Sequence, residues 1–127
     1  MRLQSKPRSW QAADRLRQAI AHMEPFETYG SLQGINEQAG FGRCGQLEDK
    51  ARKAFLGHRD GKQGQHMDYV VYSYSTPIAW HVNSQGWFYP DTSYSRTTSA
   101  QQTHVRVALD VSSSRGEHVT YLSEDKS

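Results

Sequence analysis

The sequence contains a single cysteine, Cys44, among 127 residues, so no disulfide can form within the chain. It also lacks any apolar run near the roughly 18 residues that a membrane-spanning helix requires. The basic residues 1–8 lead into no apolar signal-peptide core. We therefore expect no membrane association, no export by that route, and a reducing cytoplasm as the location.

Aliphatic residues are scarce, because Leu, Ile, Val and Phe together make up about 17% of the chain. Such a level indicates disorder only when the net charge is also high, and here the formal net charge is +2. Three Trp, seven Tyr and four Phe residues supply large areas for burial. The length fits one domain, so we expect one small folded domain with an aromatic-rich core and weakly ordered ends.

Positive charge is concentrated in the first half: residues 1–64 contain eleven Lys and Arg against seven Asp and Glu, and residues 65–127 four against six. A helix is predicted over residues 9–23, where apolar residues recur at three- and four-residue steps. Five basic residues lie at or near it: Arg2, Lys6, Arg8, Arg15 and Arg17. They are candidate phosphate contacts for a nucleic acid. A solvated helix face beside a flexible terminus is the alternative interpretation.

The aromatic core segment is expected at residues 68–109. Residues 69–94 contain eight of the fourteen aromatic side chains and one charged residue, Asp91. Strand-forming runs at 69–74, 78–82 and 87–89 are separated by turns, with Gly86 placed where a positive φ is needed. This pattern predicts a three-stranded antiparallel meander.

Aromatic residues in surplus on such a sheet are candidate anchors for a protein partner, since Tyr and Trp are enriched at interface hot spots. The candidates are Tyr72, Tyr74, Trp80, Trp87, Tyr89 and Tyr94. The same segment is nearly free of Lys and Arg, which argues against stacking of single-stranded bases.

Residues 97–111 carry both a strand-like alternation and a helix start, and we favour the helix. Thr97, Thr98 and Ser99 are residue types that cap helices. With Arg96 beside them they could instead hold an anion. We favour the capping role.

These elements predict a small single-domain α+β protein, in which the meander packs with two or three helices, one of them near 46–56. Residues 1–8 are expected to be a flexible basic terminus, residues 9–111 the domain, and residues 112–127 a flexible tail. The G-x-G-x-x-G at 40–45 follows no buried strand, so we predict no phosphate site there.

Three blocks of the sequence carry a resemblance. They are residues 73–80 (SYSTPIAW), Gly86-Trp87 with Pro90-Asp91, and residues 94–99 (YSRTTS). At this spacing they resemble a family of small bacteriophage proteins over about residues 69–109. The resemblance implies a phage or prophage origin, and hence the cytoplasm of a bacterial host, but no activity. In the family pattern, His-Gln follows the last serine of this block after one intervening residue. This chain has Gln101-Gln102 at those two positions, and His104 is out of register with the pattern, so no role is assigned to His104.

Catalytic chemistry is not predicted. The six histidines lack metal-ligand spacing, so we expect no metal and no cofactor. A hydrolase would recruit Ser75 or Ser95 with His81 and Asp91, but no nucleophile elbow is present.

The predicted function is therefore that of a phage accessory protein that binds and modulates a host protein without catalysis. A host-defence complex is one candidate target, as for an anti-CRISPR inhibitor. A weak nucleic-acid-binding protein is the alternative, and a small enzyme comes third. Homodimerisation would cover the exposed edges of a three-stranded sheet.

Overall fold

The computed structural model describes residues 2–3, 10–28, 32–36, 45, 47, 49–60, 67–74, 76–83, 85–90 and 96–122. The helices are α1 (Trp10–Ala21), α2 (Asp49–Asp60) and α3 (Arg96–Ser114). The strands are β1 (Arg2–Leu3), β2 (Phe26–Thr28), β3 (Leu32–Ile35), β4 (Met67–Ser73), β5 (Thr76–Val82), β6 (Gly86–Pro90) and β7 (Val119–Leu122). They form one sheet in which each strand lies beside its neighbour in the chain.

The order of the strands explains where the helices lie. Strands β2 to β6 form an antiparallel meander, whereas β1 pairs parallel with β2 and β7 pairs parallel with β6. Each parallel pair is joined by a helix, α1 at one edge and α3 at the other. Both crossovers step in the same direction along the sheet, so two right-handed connections place α1 and α3 on the same face.

The packing of the side chains also places α1 and α3 on the same face of the sheet. Leu16 and Ile20 of α1 and Val105 and Leu109 of α3 share one buried cluster on the first face of the sheet. On the other face, Phe55 of α2 packs in a second cluster with β4 and β5 residues. The sheet is therefore the middle of three layers, and β4 and β5 are buried along almost their whole length.

The α+β class is confirmed, but the three-stranded sheet is not. The predicted strands correspond to β4, β5 and β6, the centre of a seven-stranded sheet. The other four strands have only two to four residues each, too few to show an alternating pattern. Apart from the local β2–β3 hairpin, their pairing joins segments that are remote in sequence, which local propensity does not encode.

The boundaries of the folded part also differ from those predicted. Arg2–Leu3 is a strand inside the supposed flexible terminus, and Val119–Leu122 is a strand inside the supposed flexible tail. Both gain order from backbone pairing with β2 and β6, and their own apolar content does not reveal it. The segment 97–111 is helical, within the longer α3. Of the glycine motif at 40–45, Gly45 alone lies among the described residues.

Candidate functional site

Most of the proposed aromatic anchors are core residues. Tyr72 and Trp80 are 0% exposed, Trp87 is 1% exposed and Tyr89 is 4% exposed. The prediction that these four side chains anchor a partner is wrong, because helices cover both faces of the sheet on which they lie. Tyr94 lies outside the described residues.

Tyr74 is different, because its side chain is on the surface. It follows β4 in the turn to β5, and Ser73 pairs with Thr76 across that turn. The residue is 64% exposed and has a φ of 58°. A two-residue hairpin turn requires positive φ, which Asn and Gly adopt most readily. A bulky L-residue in this conformation costs about 1–2 kcal/mol.

Of the five basic residues, Arg15 and Arg17 have described side chains, and these two do not share a surface. Arg15 is exposed, whereas Arg17 is half-buried and its Nη2 lies 3.4 Å from Nδ1 of His104 on α3. Two residues apart on a helix, they point about 200° away from each other. Burial, and then the Arg17 charge, lower the pKa of His104. Arg2 lies in β1, and Lys6 and Arg8 are outside the described residues.

The predicted capping residues lie inside the helix. Because α3 begins at Arg96, Thr97, Thr98 and Ser99 occupy its first turn instead of the position before it. Their side chains are outside the described part of the structure, so neither the anion-binding role nor the capping role is tested.

A cluster that the sequence did not reveal surrounds His81 on β5. A register irregularity between β4 and β5 pairs Met67 with Val82 but Tyr69 with His81, which leaves Asp68 as the extra residue. Such bulges re-aim a side chain, and here Asp68 Oδ1 lies 2.7 Å from His81 Nδ1. On the other side of the ring, Glu117 Oε2 lies 3.3 Å from Nε2.

The surroundings of His81 favour its charged form. Burial lowers the pKa of the imidazole, but the hydrogen bond and charge of Asp68, followed by those of Glu117, outweigh it, so the pKa is raised above 6.5. The side chain is 8% exposed and the Trp87 ring packs against it edge-on, with centroids 5.3 Å apart. Since both ring nitrogens are engaged, His81 has no free nitrogen to act as a general base.

Ser75, Ser95 and Asp91, the other members of the hydrolase alternative, lie outside the described residues. The partners of His81 came from a bulge and from a residue 36 positions away, which no spacing motif could show.

A second histidine supports the opposite face of the sheet. His58 on α2 packs on Phe88 with ring centroids 4.3 Å apart, and its Nδ1 accepts a 3.0 Å hydrogen bond from the indole N–H of Trp80. This bond satisfies a donor in the core, where an unpaired polar group is costly. Burial lowers the pKa of His58 below 6.5.

These elements fall within a segment shared with other proteins. The model of a family of unknown function, DUF8033, matches residues 35–122, well over half of the chain. The chain belongs to the DUF8033 family. The match runs from the end of β3 to the end of β7, so it includes Tyr74, His58 and the His81 cluster. No curated protein and no solved structure matches the chain.

Among the residues that the structure describes, no three His, Cys, Asp or Glu side chains converge in a way that could hold an ion. No helix of the described part is long and apolar enough to span a membrane.

A first prediction concerns the hydrogen bond between His58 and Trp80 of this DUF8033 member. The variant His58→Leu should lose about 1–3 kcal/mol of unfolding free energy, because the indole N–H loses its acceptor. His58→Asn is the matched control, since its amide oxygen can accept the bond and does not titrate. Chemical denaturation at pH 7.5 measures both. Equal stability of the Leu variant and the wild type would contradict the prediction.

The same pair gives a pH dependence. His58 has a lowered pKa, so its contribution is present above pH 6.5 and is lost as the pH falls through its folded-state value. The unfolding free energy of the wild type, measured relative to that of His58→Asn, should therefore fall as the pH is lowered. Because His81 and His104 are present in both proteins, their contributions cancel in the difference between the two unfolding free energies. A constant difference between pH 7.5 and pH 5 would contradict it.

Proposed function

We propose that this protein is a non-catalytic binding protein of phage origin, which captures and modulates a host protein in the bacterial cytoplasm. The observation that carries the proposal is Tyr74, a large exposed aromatic residue at positive φ on the tip of the β4–β5 hairpin. The resemblance to small bacteriophage proteins supports the origin. A host-defence complex is the class of target that fits an accessory protein of this size.

Tyr74 has a strained backbone conformation, yet its side chain remains largely exposed to solvent and is not part of the core. Asn or Gly would form the same turn with less backbone strain. Strained residues that persist in a fold often lie at functional sites. A tyrosine also provides a large, rigid contact area with only two side-chain torsions to immobilise, which suits an interface. Because the hairpin holds it on two strands of the central sheet, it is presented in a fixed position.

The test is a pull-down from host lysate with three tagged proteins: the wild type, Tyr74→Asn and Tyr74→Phe. Bound proteins are eluted in a salt gradient and identified by mass spectrometry. We expect one stoichiometric protein that survives high salt on the wild type and on Tyr74→Phe, which keeps the ring. Tyr74→Asn should retain at least tenfold less, since truncating an anchor of this kind costs about 2 kcal/mol or more.

The Tyr74→Asn variant is also expected to be more stable than the wild type. Tyr74→Asn should raise the unfolding free energy by about 1 kcal/mol, because Asn adopts positive φ more readily than Tyr. Tyr74→Phe, which keeps the strain, should unfold like the wild type. If Tyr74→Asn lost both partner capture and unfolding free energy, the role of Tyr74 would be structural. If the variant captured the partner as well as the wild type does, the proposal for this residue would be overturned.

Nucleic-acid binding remains the alternative, with less support, because Arg17 contacts His104 between the two helices. Retention of nucleic acid that disappears at moderate salt and falls in Arg15→Ala would favour it over a protein partner. Truncating residues 1–8 is a poorer test, since it removes β1 as well as positive charge.

A further inference from the structure

The His81 cluster joins three parts of the chain that are distant in sequence. His81 lies on β5, Asp68 in the bulge of β4, and Glu117 in the connection between α3 and β7. The charged groups that face the ring among the described residues are these two carboxylates, and β6 contributes the uncharged Trp87. The carboxylates approach opposite nitrogens, so the ring bridges them.

Glu117 stands directly before the edge strand. The next residue, His118, accepts a 2.8 Å hydrogen bond at its carbonyl from the Trp87 N–H, and β7 begins one residue later. Behind it, the Glu117 N–H donates to the Ser112 carbonyl of α3 at 3.1 Å. The contact with His81 therefore acts at the point where the chain leaves α3 and joins β6.

The protonation state of the ring decides whether both contacts are favourable. An imidazolium donates from both nitrogens, whereas a neutral imidazole donates from one and presents a lone pair on the other. The Asp68 contact is the shorter, 2.7 Å against 3.3 Å, so the remaining proton stays on Nδ1. A lone pair on Nε2 would then face the Glu117 carboxylate, and that contact becomes repulsive.

We propose that His81 is a proton-operated latch: its imidazolium holds Glu117 and thereby β7 against β6, and loss of the proton releases this edge of the sheet. The direction of the pKa shift sets the pH range. Because the pKa is raised above 6.5, the stabilisation is fully present below pH 6.5 and is lost as the pH rises through the folded-state value. This sign is opposite to that of His58, on the other face of the sheet.

Hydrogen exchange of the full chain tests the latch. Protection factors of the β7 amides, corrected for the intrinsic exchange rate at each pH, are compared at pH 5.5 and pH 8.5. We expect them to fall by about tenfold at the higher pH, an effect of the size that the loss of one charge-assisted hydrogen bond produces. Protected amides of β4 and β5 serve as the internal reference and should change little, because release is local.

Two variants separate the latch from general pH effects. Glu117→Gln replaces the carboxylate with an amide that can accept from the charged ring or donate to the neutral one, so the pH dependence of β7 should disappear. Asp110→Asn, an exposed carboxylate on α3, is the matched control and should behave like the wild type. The His81 titration followed by NMR should have a midpoint above 6.5 and move lower in Glu117→Gln.

Three results would overturn the latch. They are β7 protection that is equal at both pH values, a pH dependence that persists in Glu117→Gln, and a His81 midpoint below 6.5. None of these measurements involves Tyr74 or a partner, so failure of the latch and failure of the proposed function are distinguishable.

Discussion

Replacing Gly86 with alanine is expected to destabilise the protein by about 3 kcal/mol or more, a larger effect than at Gly34, Gly57 or Gly116. Gly86 has a φ of +93°, a conformation that an L-residue enters at a cost of about 1–2 kcal/mol. A Cβ atom there would also collide with the carbonyl oxygen of His118 and lie 3.0 Å from its carbonyl carbon. That carbonyl accepts the Trp87 N–H, so the lead into β7 would have to move.

Gly116→Ala provides the control, because Gly116 has almost the same φ, +97°, but open space around its Cβ position. It should lose only the backbone component, about 1–2 kcal/mol. Urea denaturation of both variants measures the difference. If the two variants lost the same free energy, the close approach of His118 to β6 would contribute nothing, and β7 could not pack against β6 in this way.

Gly34→Ala is expected to cost about 2–3 kcal/mol for a different reason, overpacking of the core. A Cβ on Gly34 would collide with the Tyr69 hydroxyl and with the Phe26 ring, whose Cδ1 lies 2.6 Å away. The hydroxyl cannot easily retreat, because it donates a 2.6 Å hydrogen bond to the Glu24 carbonyl. Burial, and then the charge of Glu24, raise the pKa of Tyr69 above its ordinary range, so the hydroxyl keeps this proton.

The matched control is Gly57→Ala on the exposed face of α2, where nothing lies within 4 Å of the added Cβ. Alanine is the better helix former, so this variant should gain about 0.5–1 kcal/mol. Thermal unfolding should therefore shift in opposite directions for the two Gly→Ala changes. A gain for Gly34→Ala would mean that β3 is not packed beneath Tyr69 and Phe26.

Tyr74 and His81 lie near opposite ends of the β4–β5 hairpin. Tyr74 occupies the turn, whereas Asp68 and His81 lie near the start of β4 and the end of β5. The five-residue separation between Ser73 and Asp68 spans about 17 Å of extended strand. We therefore expect Glu117→Gln to leave partner capture intact and Tyr74→Asn to leave the β7 pH dependence intact.

The sequence by itself determined the central hairpins and the helical character of most of the remainder. Tyr69–Ser73 and Ile78–Val82 are rich in β-branched and aromatic residues, which predicts strands, and the Gly86 turn has the positive φ that its position required. The end of α1 before Pro25 also followed from a local pattern, whereas residues 97–111, which lie within α3, carried signals for both a strand and the favoured helix. These features depend on steric preferences within a few residues.

What only the tertiary structure decided is which side chains face solvent and which distant groups meet. The aromatic richness of Tyr72, Trp80 and Trp87 is the same in a core as on a surface, and only the position of α2 opposite α1 and α3 made them core. The short edge strands gain order from backbone pairing with neighbours. The His81 latch needs a bulge and a contact 36 residues away. Hydrogen bonding and burial between distant segments are properties of the assembled layers, which no local pattern contains.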